Sequence, residues 1–272
     1  MPAKMPFRSG KKKTPMRSPV SEKHNSSTTA VTFKLQKLLA QKGLGSRREM
    51  EALIASGQVS INGRIAILGD RVNAKDRVQI GKRVIHFDLT ERLPRVLLYH
   101  KPEGEIVSRH DPEGRPTVFE KLPHLRSSKW VAIGRLDFKT SGLLIFTTDG
   151  SLANRFMHPR FEVEREYAVR IIGELTADQI TQLTTGIQLD DGIASFTELA
   201  EHGGDGINRW YRVILKEGKN REIRRMFEAL GIMVSRLMRV RFGPVNLPPR
   251  IKRGKWLELD EKETRRLLTL LP

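Results

Sequence analysis

Three features of the sequence predict an α+β protein in two unequal parts. Residues 31–87 carry two short helical patterns, a β-hairpin and a further strand. Residues 95–272 are dominated by strands, with few helices placed to act as crossovers, which favours a mixed or largely antiparallel sheet over a doubly wound parallel one. Between them, Asp88 to Arg95 is charged and contains Pro94, the composition of a linker. A length of 272 residues suits this division, at roughly 150 residues per domain.

The first unit reads element by element. From Thr32, Leu35, Leu38 and Leu39 fall on one helical face, with Gly43 as the stop. Ser46-Arg47-Arg48-Glu49 is a capping box, in which the serine and glutamate satisfy each other's otherwise orphaned backbone N–H groups. Met50, Leu53 and Ile54 give the second helix its buried face, and Gly57 ends it. Val59-Ser60-Ile61 alternates as a strand, Asn62-Gly63 is a hairpin turn, Arg64 to Ile67 returns, and Arg77 to Ile80 adds another strand.

In the second unit, strands are expected at Val96–Tyr99, Leu143–Phe146, Glu166–Ile171, Tyr211–Leu215, Val234–Phe242 and Trp256–Leu259. Helices are expected at Leu152–His158, Ala177–Thr185, Arg221–Leu230 and Glu261–Leu270. Asp149 precedes the first of these as an N-cap.

Composition narrows the partners. Lys and Arg number 49 against 31 Asp and Glu, a net charge of +18, and such a surplus points to an anionic partner, nucleic acid first. The first 30 residues hold Lys4, Arg8, Lys11, Lys12, Lys13, Arg17 and Lys23 against Glu22 alone, with few apolar residues, so a disordered basic arm is expected. It suits either phosphate contact or a solubilising role; no apolar segment follows, as a signal peptide would need. Cysteine is absent, which removes disulfides, thiolate metal sites and a thiol nucleophile and fits a reducing cytoplasm. No apolar run approaches the ~18 residues of a membrane span, and with no symmetric apolar patch readable, a monomer is the default. The seven histidines lack ligand spacing, so no metal site is expected. Phosphate-binding glycine loops, HExxH and nucleophile-elbow motifs are also missing.

One stretch carries chemistry: Gly134-Arg135-Leu136-Asp137-Phe138-Lys139-Thr140-Ser141-Gly142, a charged, Gly-bracketed loop running into an apolar strand. Asp137 between Leu136 and Phe138 is partly desolvated on this reading, and a nearby guanidinium would keep it ionised as a nucleophile; a turn-stabilising aspartate is the alternative. Alternation puts Tyr167, Val169 and Ile171 on one face, so Tyr167 either stacks on a base or sits in the core. After Asn220, the stripe Ile223, Met226, Phe227 and Leu230 leaves Arg224 nearest the buried side, able to reach a buried carboxylate. Arg221 and Arg225 project the other way, toward phosphates. In the first unit, Lys34, Lys37, Arg47 and Arg48 are RNA-contact candidates; for the two arginines the helix N-terminus already favours an anion, the alternative being a solvated helix face.

Residues 32 to about 86, through Gly57-Gln58-Val59-Ser60-Ile61-Asn62-Gly63, resemble the small RNA-binding domain of the ribosomal-protein S-four type. Gly134-Arg135-Leu136-Asp137, with Tyr99-His100-Lys101-Pro102-Glu103-Gly104, Glu164 to Val169 and Glu217 to Met226, resembles the pseudouridine synthases of the RsuA/RluB group. The resemblance implies a pseudouridine synthase catalytic domain after the small domain, isomerisation of a uridine in RNA, and no cofactor. It makes Asp137 the catalytic residue, acting covalently on the uracil ring or on the ribose. It places Tyr167 against the base, Arg224 in a salt bridge to Asp137, and Arg135 among the substrate contacts. The wording around Arg224 is most similar to the branch acting on large-subunit RNA, implying 23S ribosomal RNA or a large-subunit assembly intermediate as partner. A small-subunit uridine, or a noncatalytic assembly role, are the alternatives.

Overall fold

Leucines at helical spacing and a serine–glutamate pair organise the first unit. The computed structural model describes residues 32–87, 93–126 and 128–270. The basic arm expected over 1–30, and residues 88–92 of the expected linker, lie outside the described residues. Strand β1 (Phe33–Lys34) pairs antiparallel with β4 (Arg71–Val72), so helix α1 (Leu35–Gln41) begins three residues later than Thr32. The cause is local: Lys34 is extended, with ψ 128°, and the Leu35 N–H is taken by Asp70 O at 2.9 Å. Helix α2 (Arg47–Ala55) opens on the expected capping box, with Glu49 N–H donating to Ser46 Oγ at 3.2 Å and Ser46 N–H to Glu49 Oε2 at 2.5 Å.

Strands β2 (Val59–Ile61) and β3 (Arg64–Ile65) turn through Asn62 and Gly63, whose φ values of 52° and 85° are the pair that a tight hairpin requires. The return strand stops at Ile65 instead of Ile67, because the Ile67 N–H is drawn to Asp70 Oδ2. β5 (Val78–Ile80) and β6 (Arg83–Ile85) complete a sheet of order β3-β2-β5-β6. Leu35, Leu39, Ile54, Val59, Val72 and Val78 form its buried core.

The second unit contains β7 (Val96–Lys101), β8 (Val131–Ile133), β9 (Ser141–Thr147), β10 (Arg165–Ile172), β11 (Ile187–Leu189), β12 (Gly192–Ala194), β13 (Glu198–Asp205), β14 (Asn208–Leu215), β15 (Val234–Phe242), β16 (Val245–Asn246) and β17 (Trp256–Glu258). Its helices are α3 (Gly150–Met157), α4 (Ala177–Thr185), α5 (Glu222–Glu228) and α6 (Glu261–Leu270). The main sheet runs β13-β14-β10-β15-β9-β7-β17, with β8 also on β9 and β16 on β15. It is mixed, as expected: β9 and β15 pair in parallel, and the other pairings are antiparallel.

The apolar run in β9 is explained by burial on both faces. Leu144 and Phe146 join a core shared with Leu183 of α4 and with Ile223, Met226 and Phe227 of α5. Leu143 and Ile145 join a second core with Leu152, Ala153 and Phe156 of α3 and Leu267 of α6. In β10 only Tyr167, Val169 and Ile171 are buried, so that strand alternates. α3 starts at Gly150 because Asp149 accepts from Ser151 N–H and Leu152 N–H, the N-cap read from the sequence. Among the described residues no helix is long and apolar enough to cross a membrane.

The parallel contact between β9 and β15 is short, pairing Met238 with Ser141 and Arg239 with Gly142. Gly142 has φ 107°, and a Cβ there would lie 2.2 Å from Arg239 O and 2.6 Å from Arg239 N. No side chain fits without parting the strands. Gly142→Ala is therefore expected to cost about 2–4 kcal/mol of stability, read from urea unfolding midpoints. A cost below about 0.5 kcal/mol, the usual scatter of neutral surface changes, would contradict the close approach.

Candidate active site

The loop entering β9 folds as a tight turn. Thr140 N–H donates to Asp137 O at 3.0 Å, so Phe138 and Lys139 form the corner and the Asp137 side chain is half-buried. Asp137 lines a cavity of about 380 Å³ together with Thr140 from the same loop, Arg165 and Tyr167 from β10, and Leu237 and Arg239 from β15. Arg135 and Arg221 also line it, as do Lys219 and Glu222. Five cations thus face two carboxylates around one opening, a balance that suits a polyanion.

Two buried cations fix the loop's backbone. Lys101, at the end of β7, has no exposed surface, and its Nζ donates to Pro102 O at 2.9 Å, Asp137 O at 3.1 Å and Thr140 O at 2.9 Å. Burial lowers its pKa to about 8, against partial compensation from Glu105, Asp137 and Glu103. Glu105 is itself buried and accepts from Tyr99 Oη at 2.6 Å, while burial and this bond raise the tyrosine pKa.

Arg224 corrects an expectation. It turns inward from α5, but its Nη1 donates to Val234 O at 2.8 Å and its Nη2 to Lys139 O at 2.9 Å; it forms no salt bridge with Asp137. The guanidinium meets two carbonyls before it can reach the carboxylate, so it acts on the loop's backbone two residues from Asp137. Burial lowers its pKa and Arg221 adds to this, while Asp137 and Glu103 oppose the shift.

The remaining expected residues divide. Tyr167 is buried in the core and also lines the cavity, so the core and cavity-facing positions coincide. Arg135 is exposed on the cavity wall. Arg221 lines the cavity as well, at the start of α5 with φ 46°, and its Nη2 meets Glu228 Oε1 at 3.0 Å. Arg225 is engaged elsewhere: its two Nη atoms bind Asp191 at 2.9 and 2.8 Å, so the expected phosphate contact is occupied by a bidentate ion pair. Asp191 sits in the β11–β12 turn, whose two residues Asp190 and Asp191 lie between the paired Leu189 and Gly192.

Lys37 and Arg47 line a groove of about 990 Å³ between the small unit and the α3 region, and Lys37 Nζ donates to Ser151 Oγ at 2.9 Å. Arg109, Lys129 and Arg160 line the same groove, and Met157 borders both it and the cavity. Lys34 and Arg48 are exposed outside it. Among the described residues no cluster of His, Asp and Glu could hold a metal ion.

Thr140, Arg165 and Arg239 line the cavity and Lys101 braces its loop, and sequence reading gave none of them a role of its own. The signal for Arg239 was a charge two residues after the inward Leu237 in a strand, where period two turns both to the same side.

Residues 95–229 match the family described as RNA pseudouridylate synthase, and residues 33–78 match the S4 domain. A protein of Yersinia pestis named ribosomal large subunit pseudouridine synthase B is 56% identical over 88% of this chain and 76% of its own length. The protein of that name from Escherichia coli (strain K12) is 54% identical, over 88% of this chain and 83% of its own. The chain belongs to the RNA pseudouridylate synthase family. A crystal structure of a pseudouridylate synthase, 25% identical, covers 86% of the chain and 99% of its own with a TM-score of 0.59.

For an enzyme of this family the Lys101 clasp makes a pH prediction. The folded-state pKa of about 8 lies below the ordinary 10.5, so between these values the unfolded chain binds the extra proton and this group makes stability rise with pH. At neutral pH its burial penalty is fully present. The stability difference between wild type and Lys101→Met is expected to shift in favour of wild type as pH rises from 8 toward 10, measured by urea unfolding at each pH. A difference independent of pH would contradict the buried, charged lysine.

Proposed function

We propose that the chain isomerises one uridine of large-subunit ribosomal RNA to pseudouridine, with Asp137 as the catalytic group. The observation that carries this reading is the meeting, in one cavity, of a half-buried carboxylate on a pinned turn and an aromatic ring from β10, inside a ring of cations. The names of the relatives supply the RNA class.

The geometry serves each requirement of that reaction. A stacked uridine must leave its helix, at a cost of a few kcal/mol, before its glycosidic bond is accessible. Tyr167 offers the extruded base a stacking surface, worth about 1–3 kcal/mol. Arg135, Lys219 and Arg221 offer phosphate contacts around it, and the groove holding Lys37 and Arg47 extends the cationic track toward the small RNA-binding unit. Lys101 holds the Asp137 carbonyl and Arg224 the Lys139 carbonyl of the same turn, so the carboxylate meets the nucleotide without the loop having to reorganise. In this reading the chain acts as a monomer, in the cytoplasm where ribosomes assemble.

Carbodiimide treatment followed by reverse transcription on ribosomal RNA from cells with and without the gene tests the reading. One stop in the large-subunit RNA is expected to vanish without the gene, to return with the wild-type chain, and to stay absent with Asp137→Asn. That variant is expected to bind the same RNA within about twofold, because it removes no phosphate contact. A stop lost only from small-subunit RNA would move the target, and full restoration by Asp137→Asn would remove the catalytic assignment.

A further inference from the structure

Arg239 is 2% exposed, and its charge is not matched by an acid. Its Nε donates to Leu143 O at 2.8 Å and its guanidinium lies over the Phe242 ring at 4.8 Å, but Nη2 has no hydrogen-bond partner and no carboxylate pairs with it among the described residues. A buried guanidinium without an ion pair is costly, and such groups concentrate where a ligand completes them. Arg239 lines the cavity of Asp137. A second observation points to the same place: Thr140 Oγ1, also 2% exposed in residue terms and on the same cavity wall, has no partner either. Neither group is used by the steps derived above.

The degree of enclosure selects the ligand atom. Arg135 and Arg221 are exposed and suited to a bulky, hydrated phosphate, whereas an enclosed guanidinium suits a group that arrives without water. Resting on the reading of the chain as a uridine isomerase, we propose that Arg239 binds a carbonyl oxygen of the extruded uracil, with the Thr140 hydroxyl at the neighbouring position of the same polar edge. Uracil presents a carbonyl, an N–H and a second carbonyl along that edge, so a cationic donor beside a hydroxyl is complementary to it.

The contact also bears on the rate. When the bond from N1 to C1′ breaks, its electron pair stays with the uracil, and the negative charge spreads over O2 and O4. The pair of electrons needed for the new bond is then supplied from C5 to C1′, the proton on C5 is lost, and N1 recovers a proton. If Asp137 instead adds to the ring, the charge also resides on a carbonyl oxygen. In either course a fixed cation at that oxygen stabilises charge that the resting uridine lacks, the condition under which an electrostatic contact accelerates a reaction.

The test pairs enzyme and substrate changes. A synthetic large-subunit stem-loop around the mapped uridine is made with oxygen, 2-thio or 4-thio at that nucleotide, and single-turnover rates are measured for wild type, Arg239→Gln and Arg239→Lys. Arg239→Gln is expected to lower the rate about 100-fold with RNA affinity within about twofold. Sulfur at one of the two positions is expected to slow wild type about 10-fold and to have little further effect on the variant, a coupling that a merely structural role would not produce. If Arg239→Gln does not fold, Arg239→Lys, which keeps the charge, carries the same comparison. Equal sulfur effects in wild type and variant at both positions overturn the assignment. No conversion of the unsubstituted stem-loop by wild type overturns the ribosomal-RNA reading, and this assignment with it.

Discussion

Everything at the site depends on a two-residue parallel contact, Ser141–Gly142 of β9 against Met238–Arg239 of β15. On one side of it β9 belongs with β7 and β17; on the other, β15 belongs with β10, β14 and β13. Asp137 precedes β9 and Tyr167 lies on β10, so neither strand alone brings them together. The backbone approach at Gly142, closer than any Cβ permits, joins the two halves and sets the turn of Asp137 beside Tyr167 and Arg239. Burial of β9 on both faces supplies the rigidity, since each of Leu143, Leu144, Ile145 and Phe146 is fully enclosed, and each such side chain contributes about 1.5–3 kcal/mol when withdrawn from water.

Around that seam three buried cations divide the work. Lys101 and Arg224 bind carbonyl oxygens, and through them the shape of the loop. Arg239 binds one carbonyl, leaves Nη2 without a partner and lines the cavity. Carbonyls satisfy a cation without neutralising it, so the positive potential of the site survives for a negatively charged ligand. The exposed cations of the rim and of the groove below it extend the same field outward, where salt screens it.

Much of this was legible in the sequence. Period-two alternation located Tyr167 on the buried face of β10, the serine–glutamate box located α2, and the apolar run after a charged, Gly-bracketed loop located β9 and Asp137. The edge strand β13 was not legible, because Glu198 to Asp205 is largely solvated and carries no apolar alternation. The actual partners of Arg224 and Arg225 were not legible either. Helical periodicity states the direction in which an arginine leaves α5, but the Lys139 carbonyl and the Asp191 carboxylate come from elements 85 and 34 residues away. The roles of Lys101 and Arg239 are not legible for the same reason: a buried cation is recognised by the carbonyls around it, and those are set by tertiary pairing.

On the proposed reading, the cavity between β9, β10 and β15 receives a uridine withdrawn from its RNA helix. A crystal structure of the Asp137→Asn chain bound to the mapped large-subunit stem-loop tests it most directly. The target nucleotide is expected out of the stack, its ring against Tyr167 and its phosphates near Arg135 and Arg221. A bound stem-loop with that uridine still stacked in the RNA, or seated away from this cavity, would contradict it.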